Sequence, residues 1–194
     1  MDLEFYFDVG SPTAYLAYRR LRQLQLSYPL NVIYMPMLLG GVFKAAGSAS
    51  PVTIPAKGKY MMEHDLPRFA ARYGVPLTPN PFFPVNTLNL MRGVFAARDL
   101  GCEEAYIDTV YTAMWVDAKD MGNPQVAAEV LSLAGLDAAA LLERCATAAI
   151  KEQLIVATQE AVARGVFGAP TLFMGQDMYF GQDRLDFVEE RLRA

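Results

Sequence analysis

Leu3, Phe5 and Phe7 alternate with Glu4, Tyr6 and Asp8, the period-two pattern of a half-buried strand, which Val9-Gly10 then ends. The apolar spacing changes at once. Ser11 is a good N-cap and Pro12 a good first helical residue, and Ala14, Ala17, Tyr18, Leu21 and Leu24 recur behind them at helical intervals. Tyr28-Pro29 breaks that run, and Asn31 to Met35 reads as a second strand stopped by Pro36. The chain therefore opens βαβ, which implies a parallel pair joined by a right-handed crossover.

The middle of the chain predicts helices over Lys57 to Tyr73, Asn86 to Leu100, Glu103 to about Trp115, Pro124 to Ala134 and Ala138 to Arg164. The last of these should break near Ala146 to Ala149, because one uninterrupted helix of that length is unusual in a compact domain. After Gly168-Ala169-Pro170 the period returns to two. Thr171 to Met174, a Gly175-Gln176-Asp177 turn and Met178 to Phe180 predict an antiparallel hairpin, and Gly181-Gln182-Asp183 opens a final helix from Arg184 to Arg193. The order βαβ, helices, ββα predicts an α/β thioredoxin-like fold with a large inserted helical domain. Residues 1–40 and 166–194 would form the thioredoxin-like domain and residues 41–165 the insertion.

Composition narrows the chemistry. Two cysteines, Cys102 and Cys145, outside any CxxC pair, build neither a disulfide framework nor a cysteine-rich zinc site, and no metal site is expected. His64 is the only histidine, so HExxH sites are excluded, and it lies in a helical stretch where it reads as structural. A net charge of −4 with scattered basic residues argues against a nucleic-acid surface. No apolar run approaches the roughly 18 residues of a membrane span, and the acidic start lacks a signal peptide's positive region, so a cytoplasmic location is expected.

In this topology the turn after the first strand lies at a helix amino end, where unpaired N–H groups and the helix dipole favour an anion. A thiol oxidoreductase would place cysteines at positions 11 and 14; here those positions hold Ser11 and Ala14, which rules out disulfide exchange at that site. Ser11 reads either as a plain N-cap or as a hydrogen-bond donor to a thiolate carried by another molecule.

The segments Phe5 to Pro12, Pro55 to Met61, Phe83 to Leu88, Gly165 to Thr171 and Phe180 to Leu185 resemble, in order and across nearly the whole chain, the 2-hydroxychromene-2-carboxylate isomerases. That family stands with the kappa-class glutathione transferases in the DsbA-like branch of the thioredoxin superfamily. The resemblance implies a glutathione-dependent isomerase acting on an aromatic carboxylate in the breakdown of naphthalene-like compounds, and a homodimer. Ser11 would be the catalytic residue holding the glutathione thiolate. Pro12, Lys57, Ala169, Pro170, Gly181, Gln182 and Asp183 would bind the rest of the tripeptide, with Ala169-Pro170 as the cis-proline loop. Ser48 stands where relatives commonly place an asparagine. Asp183 is equally a helix cap or a partner for the γ-glutamyl ammonium.

Both reactants would be anions approaching a net-negative protein, so local cations are needed, and Lys44, Lys57, Lys59 and Arg92 are candidates. Asn86 serves as a helix cap on local grounds and, through its place in the Phe-Pro-x-Asn-Thr-Leu block, as a substrate contact. Phe43, Met37, Leu38, Phe82 and Phe83 could wall a flat ring. The expected substrate set is thus Phe43, Lys44, Asn86 and Arg92. A kappa-like transferase and a non-catalytic glutathione-binding protein are the competing readings.

Overall fold

A computed structural model describes residues 1–193. Strand β1 (Asp2–Phe7) leads into helix α1 (Pro12–Ser27), and β2 (Asn31–Pro36) returns parallel to β1. Helix α2 (Leu39–Ala45) and a 3₁₀ turn (Pro51–Thr53) follow. Then α3 (Pro55–Tyr60), a π-helical stretch (Met61–Asp65) and α4 (Leu66–Tyr73) run on without a gap. Next come α5 (Leu88–Asp99), α6 (Glu103–Trp115), α7 (Pro124–Leu133), α8 (Ala138–Ala146) and α9 (Ala148–Ala163). The chain closes with β3 (Thr171–Met174), β4 (Asp177–Phe180), a 3₁₀ turn (Gln182–Arg184) and α10 (Leu185–Arg193).

The sheet has the order β2-β1-β3-β4, with β1 parallel to β2 and antiparallel to β3. This is the expected thioredoxin-like architecture, and the insertion runs from β2 to β3. Register puts Phe5 of β1 beside Tyr34 on one side and Leu172 on the other, which carries the end of β1 into the middle of the molecule.

Central placement changes the reading of β1. Leu3, Phe5 and Phe7 enter the main core as the alternation requires, but Tyr6 is buried as well, among Met37, Val42, Ala161, Val166 and Phe173. Helices α2 and α9 cover that second face, so only Asp2 and Glu4 escape burial in β1. Glu4 pairs with Arg164, whose guanidinium lies 4.0 Å from the Phe173 ring centre. One contiguous apolar cluster joins Leu3 and Phe5 to Met91, Trp115 and Leu131, so the insertion shares its core with the sheet.

Several boundaries differ from expectation. Helix α2 was not expected, because a short helix with two glycines and one buried side chain, Val42, gives periodicity too little to register. The helix expected from Asn86 starts at Leu88, because the Asn86 carboxamide accepts the Leu88 N–H at 3.1 Å in a turn before it. The helix expected from Lys57 starts at Pro55 and holds the π turn. The break between α8 and α9, by contrast, falls where expected, at Thr147, whose hydroxyl accepts the Ile150 N–H and caps α9. The hairpin turn is Gly175-Gln176, since Asp177 already pairs with Met174. Among the described residues no helix is long and apolar enough to cross a membrane.

Candidate active site

The site begins where β1 ends. Ser11 has extended backbone angles, and its hydroxyl oxygen accepts the Ala14 N–H at 3.2 Å, so it caps α1. Pro12 follows in the first turn, and no acidic residue there opposes the positive end of this 16-residue helix. An anion placed against Ser11 therefore meets a hydroxyl donor and a helix amino end together.

Across from Ser11 stands Ala169, whose peptide bond to Pro170 is cis, as the loop resemblance implies. The Ala169 carbonyl accepts from the Thr13 hydroxyl at 3.1 Å and from Ser11 at 3.3 Å. On the far side of the loop the Pro170 carbonyl accepts the Gly181 N–H at 3.0 Å. Gly181 has φ +101°, and a Cβ there would sit 2.5 Å from the Asp183 carboxylate, so the position requires glycine. The next residue, Gln182, is held through its carbonyl by the Tyr73 hydroxyl at 2.8 Å; burial pushes that phenol up to about 12, so it stays a donor.

Asp8 braces the site from beneath. Its carboxyl is buried and accepts the Gly10 N–H at 2.9 Å, the Leu39 N–H at 2.9 Å and the Thr87 hydroxyl at 3.0 Å. It thereby ties the end of β1 to the starts of α2 and α5. Burial raises its pKa, and the three donors pull it back. In Asp8→Asn, either amide orientation turns an N–H against a backbone N–H, at Gly10 or at Leu39. The variant should lose about 1–3 kcal/mol in urea unfolding. Because the folded-state pKa is raised, the stability contributed by Asp8 is full below the ordinary carboxyl pKa and falls as pH climbs through the raised value. The deficit of Asp8→Asn should therefore narrow with rising pH. Above Asp8, the Trp115 indole N–H donates to the Val9 carbonyl at 2.8 Å, fixing the same turn from the end of α6.

These elements enclose a cavity of about 770 Å³. Of the residues expected from sequence, Ser11, Pro12, Ser48, Ala169, Pro170, Gly181, Gln182, Asp183, Phe43 and Phe83 line it. Others do not. Lys57 is exposed on α3 outside the lining, while its neighbour Gly58 packs against Val52. Lys44 and Lys59 also lie outside. Asn86 and Arg92 face a different cavity, bordered by Cys145 and Leu141, and Asn86 is displaced from the Ser11 cavity by its neighbour Thr87. Met37 is core, and Leu38 and Phe82 are not on the wall.

The expected concentration of cations is therefore absent from the lining. Arg184 is the one basic residue on it, ion-paired to Asp183 at 2.6 Å, beside the further carboxyls Asp8 and Asp65. Positive potential at Ser11 comes instead from the helix amino end. Sequence reading passed over Thr13, Asp8, Thr87 and Arg184, and also Phe167 and Phe180, whose half-exposed rings meet 4.5 Å apart on the wall. Only Asp8 and Thr13 carried a local signal, as polar side chains flanking Ser11 at the strand-to-helix turn.

This is a thioredoxin-type site with a hydroxyl at the helix amino end, the Ala169-Pro170 loop opposite and Ser11 and Ala14 where a disulfide enzyme carries its thiols. The chain matches the family described as DSBA-like thioredoxin domain over residues 2–193. It is 35% identical to a 2-hydroxychromene-2-carboxylate isomerase of Sphingobium xenophagum, over 98% of this chain and 97% of that one. It is 30% identical to the human glutathione S-transferase kappa 1, covering 98% and 90%. A solved 2-hydroxychromene-2-carboxylate isomerase superposes with a TM-score of 0.88 at 32% identity, over 100% of this chain and 95% of that one. The protein belongs to the DSBA-like thioredoxin family, in the branch that holds these isomerases and the related kappa transferases, and it is an isomerase enzyme.

Proposed function

We propose that this isomerase interconverts 2-hydroxychromene-2-carboxylate and trans-o-hydroxybenzylidenepyruvate with glutathione as cofactor. The observation that carries the reading is Ser11, a hydroxyl at the amino end of α1 where a disulfide enzyme would keep its thiol, facing the cis-proline carbonyl. The residues present suit the tripeptide. Ser11 can donate to a sulfur anion, the Ala169 backbone borders it, and the Asp183–Arg184 pair offers a carboxylate and a guanidinium to a zwitterionic amino-acid end.

When bound, glutathione supplies a nucleophile whose reversible addition to the conjugated substrate opens the ring, permits bond rotation and leaves no net redox change. Ser11 and the helix end hold the sulfur ionised. Phe43, Phe83, Phe167 and Phe180 provide apolar walls for a flat ring, and the cleft can hold both reactants together. Lys57, Lys44, Asn86 and Arg92 are not among the lining residues on which this reading rests. The same reading makes the enzyme a cytoplasmic homodimer in aromatic-compound breakdown, supported by two unpaired cysteines and by exposed Ile155 and Val156 on α9.

Purified enzyme with glutathione should accelerate the absorbance change of 2-hydroxychromene-2-carboxylate well above glutathione alone. No acceleration would refute the isomerase assignment to this substrate. A product that retained sulfur by mass spectrometry would favour the transferase.

A further inference from the structure

We propose that Thr13 is a positioning residue that frees the Ser11 proton for the thiolate; the proposal rests on the glutathione reading above. The Ser11 hydroxyl has one proton and two lone pairs. One lone pair is engaged by the Ala14 N–H at 3.2 Å. The proton has two protein acceptors within reach, the Thr13 hydroxyl oxygen at 2.9 Å and the Ala169 carbonyl at 3.3 Å. Thr13 reaches that same carbonyl at 3.1 Å, closer than Ser11 does.

The three oxygens form a triangle holding two protons, and the half-buried carbonyl needs one of them. With Thr13 donating to Ala169, the carbonyl is paired without Ser11. The Ser11 proton then rests on a neutral hydroxyl oxygen, a weaker acceptor than an anion. Ser11 can turn its proton to an anion at the helix end and leave no group unpaired. Without the Thr13 hydroxyl, Ser11 is the remaining partner of the Ala169 carbonyl, and donating to sulfur would strip it. Capping does not explain threonine here, because Ser11 already caps α1.

The test compares Thr13→Val, which keeps the shape and removes the hydroxyl, with Thr13→Ser, which keeps the hydroxyl. Binding of glutathione and of S-methylglutathione is measured by calorimetry, and ionisation of the bound thiol by ultraviolet absorbance across pH. Thr13→Val is expected to bind glutathione about tenfold more weakly at neutral pH, with its bound thiol ionising about one pH unit higher. Binding of S-methylglutathione, which has no thiol proton to lose, is expected to be unchanged, and Thr13→Ser to restore both values. Wild-type ionisation in Thr13→Val would overturn the role of Thr13 and leave the glutathione reading standing. Equal weakening of both ligands would also overturn it, since the hydroxyl would then act on the peptide or the fold. A wild-type enzyme that did not bind glutathione would overturn both.

Discussion

Ser11→Ala is expected to lower turnover by about 10²–10³-fold, the cost of deleting one donor aimed at a reacting anion. The same change should cost the fold only about 1 kcal/mol, because Thr13 still donates to the Ala169 carbonyl and the main structural loss is the cap bond to Ala14. The two effects separate cleanly. Steady-state turnover with saturating glutathione reads the first and urea unfolding the second. The bound thiol should ionise at higher pH in the variant, so its activity should recover partly as pH rises. An alanine variant with near-normal turnover would show that the helix end alone suffices and that the hydroxyl is only a cap.

Trp115→Ala is expected to be the most destabilising single change near the site, at about 3–5 kcal/mol. Trp115 is fully buried at the end of α6, packs against Phe83 with ring centres 5.5 Å apart and bonds the Val9 carbonyl. Its removal opens a void beneath the Ser11 turn and unpairs that carbonyl. Trp115→Phe retains most of the packing and loses the bond, so it should fall short of wild type by about 1–3 kcal/mol. If the phenylalanine variant matched wild type in urea, the Val9 bond would contribute nothing to holding the turn.

Ser11, Pro12, Ala169 and Gln182 were legible in sequence because each belongs to a short motif at an element boundary, where a strand or turn meets a helix and few conformations fit. Lys57 lies outside the cavity lining. The block around it fixes a helix, but which side of α3 turns inward depends on the packing of Gly58 against Val52, and only tertiary contact sets that phase. Asn86 and Thr87 show the same limit at single-residue scale. Both suit a helix start, and the turn made by Asn86 sends it outward while Thr87 reaches Asp8. The burial of Tyr6 was hidden for a related reason. Alternation marks one face of a strand for the core, and the cover on its other face comes from α2 and from α9, the latter more than 140 positions away. Arg184, Phe167 and Phe180 belong to the C-terminal hairpin and its flanks, and nothing local to them marks a shared wall with Phe43.

The pairing of β1 with β3 has a consequence for how the protein is made. Synthesis runs from the N-terminus, and a nascent chain that has reached Arg164 already contains β1, α1, β2 and every helix up to α9. It still lacks the strand that covers the free side of β1. Ser11 and the carbonyl it faces are 158 positions apart, so the Ser11 turn stays incomplete until the stretch that carries Ala169 has been made. A chain stopped early would therefore do worse than sit idle: it would leave Glu4, Phe5 and Tyr6 of β1 on an open strand edge, the kind of surface that recruits other unfinished chains.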